Sequence, residues 1–507
     1  HPTPRRALTA CLLLFAVQAV PAAVPFSPLE ADIRTLQRAM ASGRISATEL
    51  VDFHLARIER LDDAGPALNA IAALNPEART EAARLDAERR ERGPRGPLHG
   101  IPVLVKDNYE TRGMPTTAGS LALAGFAPDT DAELVRRLRA AGAVILGKTN
   151  MHEWAYGITT VGSAFGATRN PYDPERNPGG SSGGTGAAVA ANLAVVGLGS
   201  DTCGSIRIPA AANALVGLRG TQGASSRRGM VPLSSTQDIG GPLARSVPDL
   251  ARVLDVTVGQ DPDDPQTAAV VGRLEGSFVD ALRPGALRGR RIGLLEELIR
   301  SEPFEADLAD LFDAAVADLR ALGAETVDVS LPELDALVYE RDLGFYVTTR
   351  EFGVEIDAYL AAHPDAPVGS LAEIVARGDA HPAVQPLLEA SVEAARADPA
   401  VYEEEIARRG RLRTAILDLM AREELDALAY PAMRVRPAPI GEPQPEDRVC
   451  QLSANSGLPA IVFPTGFTED GLPASMELLG RPWSDAQLLA LAHDFERSTQ
   501  HRRAPEL

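Results

Sequence analysis

The sequence predicts an α/β fold, a β-sheet with helices covering both faces. Short apolar, β-branched runs, such as those at residues 101–105, 291–295 and 325–329, read as buried strands. Longer segments with helical spacing lie between them, and the two kinds alternate along the chain. Glycine-rich turns punctuate the first half, most densely at residues 177–209. With 507 residues, 45% hydrophobic and 23% charged, the chain can bury a sizeable core, as one large unit or as two to three domains.

Helical periodicity begins at residues 28–40 and 46–63. In the second segment Ser46 and Glu49 have the S-x-x-E capping-box spacing, and Leu50, Phe53, Ile58 and Leu61 share a face. Residues 69–74 are a short strand, and 76–92 a charged surface helix with proline in its first turn. Residues 101–108 form a buried strand that carries Lys106 at its end. A helix at 130–141 closes on Gly142. Residues 142–149 spell the phosphate-loop pattern G-x-x-x-x-G-K-[ST], but the variable positions are Ala-Val-Ile-Leu. A phosphate loop needs pliant backbone there, and this stretch is itself a strand, so nucleotide binding is set aside.

Residues 150–177 are a polar loop, with Trp154, Tyr156 and Phe165 available as pocket walls. The apolar run 187–198 fits a buried helix and strand. Residues 219–248 are again rich in Gly, Ser and Pro, followed by a helix at 248–258 and an exposed turn at 260–266. A helix at 305–322 lies between strands 291–295 and 325–329. Residues 333–421 are almost wholly helical and read as a cap-like portion over a pocket. Strands at 426–430, 460–464 and 474–479 precede a last helix at 484–498.

The net charge is −19 and no long basic run occurs, which argues against nucleic acid or an anionic membrane as partner. Residues 1–23 read as a secretory signal peptide. Arg5 and Arg6 precede an apolar run at 8–20 that is too short to span a bilayer, and Ala19, Ala22 and Ala23 follow. The mature chain is therefore expected to be exported, periplasmic or secreted, with no membrane contact. Cys11 lies near the start of the apolar run, so it does not read as a lipoprotein cysteine. Cys203 and Cys450 are too few for a disulfide scaffold and lack metal-site spacing. Two free thiols are expected, with one disulfide possible in an oxidising compartment. No metal or other cofactor is expected.

The glycine-rich stretch holds two serine sites, Ser181-Ser182 and Ser205. Glycine lets backbone approach a ligand closely or adopt positive φ, and using that freedom twice beside a serine builds a site. A flexible Gly/Ser linker would not enclose an apolar run. Gly179-Gly-Ser181-Ser-Gly183 fits the nucleophile-elbow pattern G-x-S-x-G, which needs a strand before it and a histidine after it. Pro174-Glu-Arg-Asn-Pro178 is not a strand, and His363, His381, His493 and His501 lie in no recognisable setting. A lysine base fits better. Burial disfavours the ammonium of Lys106, and a neutral lysine takes a proton from a serine, with a second serine as relay.

In these residues the chain resembles the amidase signature family. Gly179-Gly-Ser-Ser-Gly-Gly184 matches its GGSSGG run, and Gly199-Ser-Asp-Thr-Cys-Gly-Ser-Ile-Arg-Ile-Pro209 its G-x-D-x-G-G-S-I-R-x-P segment. Matches also occur at HGIPVLVKDN (99–108), GKTN-x-x-E (147–153) and the GLPA to LLG segment (457–480). The resemblance covers residues 28–500 and implies one large domain on a mixed sheet. It implies that Ser205 is the nucleophile, Ser181, after a cis peptide, the bridging serine, and Lys106 the base. Backbone N–H groups of Thr202, Cys203, Gly204 and Ser205 would form the oxyanion hole, and Ser182, Asp201 and Arg207 would give structural support.

Two positions depart from the family. Cys203 stands where glycine is usual, and a positive φ there would strain it by about 1–2 kcal/mol. Cys203 as nucleophile has the wrong spacing from Ser181. Arg219-Gly-Thr221 replaces Lys-Pro-Thr, which puts that turn in question.

The implied reaction is hydrolysis of a carboxamide to acid and ammonia through an acyl-enzyme, on a small-molecule or peptide amide. Segments such as TAGSLAL (117–123) and GPLARSV (241–247) are similar to bacterial peptide amidases, which act on C-terminal peptide amides. Another small or acyl amide is the alternative. The signal segment argues against the family's tRNA-dependent amidotransferase. The presence of all three catalytic residues disfavours a secreted binding protein with an idle site.

Overall fold

The computed structural model describes residues 26–274, 276–339, 343–445, 447 and 449–507, so the signal-peptide reading of residues 1–23 lies outside the described residues. The strands are β1 (Ile71–Leu74), β2 (Pro102–Lys106), β3 (Val144–Thr149), β4 (Val196–Asp201), β5 (Val216–Arg219), β6 (Ile239–Ala244), β7 (Arg291–Leu295), β8 (Glu325–Val329), β9 (Ala427–Pro431), β10 (Ala460–Phe467) and β11 (Pro473–Leu479). They form one 11-stranded sheet in the order β1-β3-β2-β4-β6-β5-β10-β11-β9-β7-β8. β2 runs parallel to β3 and β4, and β7 parallel to β8 and β9, while the pairs through β6, β5, β10 and β11 are antiparallel. This is a single large α/β domain on a mixed sheet.

Strand β10 shows why both sheet faces are covered. Ile461 and Phe463 join the cluster that holds Phe312 of helix Ala306–Ala321 and Leu488 and Phe495 of helix Asp485–Thr499. The residue between them, Val462, points the other way and packs with Val189, Ile206 and Ala210. Successive strand side chains alternate, so an all-apolar strand needs partners on both faces. The Phe463 and Phe495 rings lie 5.0 Å apart by centroid. Truncating such a buried ring costs about 3–5 kcal/mol.

Local signals place most elements. Helix Ala47–Leu61 opens on a complete capping box, Ser46 Oγ accepting from Glu49 N while the Glu49 carboxylate accepts from Ser46 N. The helix expected at 28–40 starts later, at Ile33, because the Asp32 side chain caps it by accepting from Thr35 N. Strands β5 and β6 are not evident in the sequence, because they lie at the margins of a Gly/Ser/Pro-rich region where tertiary pairing overrides weak propensity. The turn at 260–266 is exposed as expected at Gln260, Pro262, Asp263 and Pro265, but two of its carboxylates turn inward. Asp261 and Asp264 are buried, accepting from Ser226 Oγ at 2.7 Å and Arg227 Nη2 at 2.8 Å respectively.

Helices Leu343–Ala362, Leu371–Arg377, Gln385–Ala394 and Pro399–Arg422 make up most of the late helical region. Phe352, Ile356 and Leu388 share a separate apolar cluster with Trp154 and Tyr156 of the loop after β3. The Phe352 ring lies 5.4 Å from that of Tyr156, whose hydroxyl donates to Thr349 Oγ1 at 2.8 Å. The helices are thereby docked on the loop that leads to the glycine-rich turn.

Candidate active site

Because β2, β3 and β4 are parallel neighbours, their C-terminal ends meet at one sheet edge, where ligands gather in open α/β sheets. Lys106 ends β2 and Asp201 ends β4. The turn at 179–182 leads into helix Gly183–Ala190 beside them. Glycine is required here by close approach. A Cβ on Gly184 would stand 2.7 Å from the Ala70 carbonyl oxygen. The Gly180–Ser181 peptide is cis.

Lys106 is wholly buried and donates to Ser181 Oγ at 2.7 Å and to Ser200 Oγ at 2.8 Å. Burial brings its ammonium down to about 7, against the opposing pull of Asp238 and Asp201. Asn108 Nδ2 also donates to Ser200 Oγ, at 3.0 Å. Ser182 ties the two serine sites together. Its N–H donates to the Ser205 carbonyl at 3.2 Å and its hydroxyl to the Ser200 carbonyl at 3.1 Å. Of the three residues singled out by sequence, Lys106 and Ser181 are in direct contact, while the buried Ser205 is joined to them through its main chain, by the hydrogen bond from Ser182 N.

The loop 201–205 is organised by Asp201. Its carboxylate accepts from Gly204 N at 2.8 Å, Ile206 N at 3.2 Å, Arg207 Nε at 3.1 Å and Arg219 Nη1 at 3.0 Å. Burial alone would push this carboxyl up, but the two guanidiniums hold it well below the usual range. Arg207 continues the network to Glu477 Oε1 at 2.6 Å, which also accepts from Tyr430 Oη at 2.8 Å. Arg219 departs from the family pattern. It is a second cation on Asp201 and also donates to the Gln237 carbonyl at 2.6 Å.

Two expectations for this loop are corrected. Positive φ falls on Gly204 (84°) and not on Cys203, so Cys203 is unstrained. Cys203 is also not a free thiol. It is joined to Cys450, with Cα atoms 5.5 Å apart, because β4 ends beside the segment that enters helix Gln451–Ser456. The Gly204 N–H is taken up by Asp201. Among the described residues, no internal acceptor takes the N–H of Thr202, Cys203 or Ser205.

Sequence reading missed several members of the cluster. Ser200 precedes Asp201 and touches the lysine. Asp238, from a distant loop, accepts from Thr202 Oγ1 at 2.5 Å and from Leu233 and Ser234 N–H groups at 2.8 and 2.9 Å. His152 donates its backbone N–H to the Ser181 carbonyl at 3.0 Å, and burial holds its ring neutral, near 3. Ser200 and His152 lie within the matched segments 199–209 and 147–153, and Gln237-Asp238 is a further point of likeness to peptide amidases, but the motifs assign these positions no role; the alternation of β4 is the signal that could have placed the Ser200 side chain.

A family model described as Amidase matches residues 49–489. The chain belongs to the amidase family. This amidase is 41% identical to the peptide amidase of Stenotrophomonas maltophilia, whose structure superposes with a TM-score of 0.86 over 94% of this chain and 98% of that one. An amidase family protein from Bacillus anthracis is 30% identical, with a TM-score of 0.85 over 94% of this chain and 93% of that one. A glutamyl-tRNA(Gln) amidotransferase subunit from Chloroflexus aurantiacus is 38% identical over 94% of this chain and 98% of its own length. This amidase is an amidohydrolase acting on linear amides.

The expectation of an exported, periplasmic or secreted protein is corrected by these relatives. Several, including that from Cupriavidus metallidurans at 36% identity, are subunits of an amidotransferase of charged tRNA, which is handled inside the cell. Among the described residues no helix is long and apolar enough to cross a membrane.

Proposed function

We propose that this amidase hydrolyses its amide through Ser205, Ser181 and Lys106. Neutral Lys106 takes the proton of Ser181, which takes that of Ser205 as Ser205 Oγ attacks the carbonyl. The tetrahedral oxyanion is held by the backbone N–H groups of Thr202, Cys203 and Ser205. Gly204, part of the oxyanion set implied by sequence, is left out because its N–H serves Asp201. Such donors, aimed at charge that develops only in the transition state, are worth about 3–4 kcal/mol each. The amine then leaves with the proton returned through Ser181, and water resolves the acyl-enzyme.

The observation that carries this reading is the 2.7 Å contact of a wholly buried lysine with a serine hydroxyl. The later histidines are engaged elsewhere. His363 Nε2 lies 3.0 Å from Glu110 and His501 Nε2 2.8 Å from Asp318. A cysteine nucleophile is disfavoured because Cys203 is disulfide-bonded.

For the substrate we propose a peptide C-terminal amide, on the strength of the 41% identity to the peptide amidase. The 38% identity to an amidotransferase component supports a second reading, release of ammonia from glutamine. Ammonia release from a panel of peptide amides, acyl amides and glutamine separates them. Loss of turnover in Ser205→Ala, with the fold retained, is expected on every substrate; wild-type turnover in that variant overturns the nucleophile.

A further inference from the structure

We infer that the Cys203–Cys450 bond is a redox-dependent positioning element of the active site. It sets the backbone of the oxyanion loop, so that the enzyme works at full rate only when the pair is oxidised. The inference rests on the reading of Ser205 and its loop given above.

The loop is tethered at both sides of Cys203 except where the disulfide acts. Asp201 fixes the N–H groups of Gly204 and Ile206, and Thr202 is held by its hydroxyl on Asp238. Between these anchors the Cys203 main chain makes no hydrogen bond among the described residues. Its one fixed attachment there is the bond to Cys450, 247 positions away in sequence. The anchor at the far end is firm. The Cys450 carbonyl accepts from Arg207 Nη2 at 3.1 Å, and the same arginine grips Asp201. The fit is close, since a Cβ on Gly204 would lie 2.8 Å from the Cys450 Cβ. Within the loop 201–205, Cys203 alone is partly exposed, so this is the point at which solvent reaches the loop.

The chemistry is thiol–disulfide exchange with a dithiol. One reagent thiolate attacks a sulfur of the pair and forms a mixed disulfide. Its second thiolate closes a cyclic disulfide and releases the protein. Cys203 and Cys450 together gain two electrons and two protons, and the reagent loses them. Reduction leaves Asp201, its arginines and the lysine in place and removes only the tether on the Cys203 N–H. A donor that acts on the transition state alone then affects kcat and not KM. Misplacing such a group by about 1 Å costs up to a hundredfold.

The test compares kcat and KM on an ammonia-releasing amide before and after dithiothreitol, with a gain of two free thiols per chain as the marker of complete reduction. Near-ultraviolet circular dichroism and the melting temperature report whether the fold survives. The expected result is a fall in kcat of tenfold or more with KM within twofold, reversed on reoxidation and reproduced by Cys450→Ser, which no longer responds to dithiothreitol. Should Cys450→Ser fail to fold, the reduced wild-type protein carries the test. Unchanged kcat in the fully reduced, folded enzyme overturns the inference, and so does a rise in rate, which would mark the freed Cys203 thiol as the reacting group. Ser205→Ala, assayed oxidised, keeps the two readings apart: if it is active the nucleophile is wrong, and if it is dead while reduction has no effect only the positioning role is wrong.

Discussion

Lys106 Nζ and Ser181 Oγ meet at 2.7 Å across 75 positions of sequence, in a pocket where the lysine has no exposure to solvent. The carboxylates that favour its charged form, Asp238 and Asp201, are already committed to Thr202 and to Arg207 and Arg219. Burial therefore dominates and the ammonium loses its proton near 7. As the proposed base acts only when neutral, kcat/KM is expected to rise with pH through about 7 and level off above it. A pH–rate profile on an amide substrate checks this, and Lys106→Met should abolish the limb together with the activity. The same limb surviving in Lys106→Met would exclude the lysine.

Ser200 is the neighbour of that pair which sequence reading overlooked. Its hydroxyl accepts from Lys106 at 2.8 Å and from Asn108 at 3.0 Å, so it favours the ammonium and aims it. Ser200→Ala removes an acceptor from the charged form. Two effects are expected: the acid limb moves to lower pH, and kcat falls by about tenfold, the worth of one hydrogen bond of about 1.4 kcal/mol. A purely structural serine would lower the melting temperature and leave the limb where it was.

Among the described residues, Asp201 is the only counter-charge in contact with Arg219 and one of two in contact with Arg207, all of them buried. Asp201→Asn leaves those guanidiniums under-compensated, and breaking such a pair costs about 3–5 kcal/mol. The loss should appear in urea unfolding at neutral pH. The wild-type contribution has a defined sign. The folded carboxyl sits below its ordinary value of 3.8, so its stabilisation is complete above that pH and disappears as acid takes the pH down through the folded value. The gap between variant and wild type should therefore narrow only below about pH 4.

Much of this arrangement was legible in the sequence because it is local. Capping at Ser46, the apolar run that becomes β2 and the glycine-flanked serines each follow from a few adjacent residues. What remained hidden is set by long-range closure. Ser200 acquires its role only when β4 pairs with β2, and Arg219 only when β5 comes to lie beside the end of β4. The Cys203–Cys450 pair joins positions that no spacing rule connects. The Gly204 N–H had to be seen bound to Asp201 before it could be taken out of the oxyanion set. The late helices were evident as helices from 333 onward, but their docking on Trp154 and Tyr156 depends on aromatic packing across about 200 residues of chain.

That docking also has an electrostatic side, at Glu355 of helix Leu343–Ala362. Its carboxylate accepts from Ser235 N at 2.9 Å, in the loop that supplies Asp238 to the active site. Burial pushes the Glu355 carboxyl up to about 7, with Glu351 and Asp238 adding to the shift against the Ser235 hydrogen bond. The unfolded chain ionises this group near 4.5, so between about 4.5 and 7 the folded state holds a proton that the unfolded state has lost. Stability from this group is full below 4.5 and declines as pH rises through the folded value. Glu355→Gln keeps an acceptor for Ser235 and removes the titration. Its melting temperature should match that of the wild type near pH 4.5, exceed it progressively up to pH 7, and hold a constant lead above that. Melting curves of both proteins between about pH 4.5 and 8 decide the point, and a wild type that stays level with the variant across the range would show that Glu355 ionises freely in the folded enzyme.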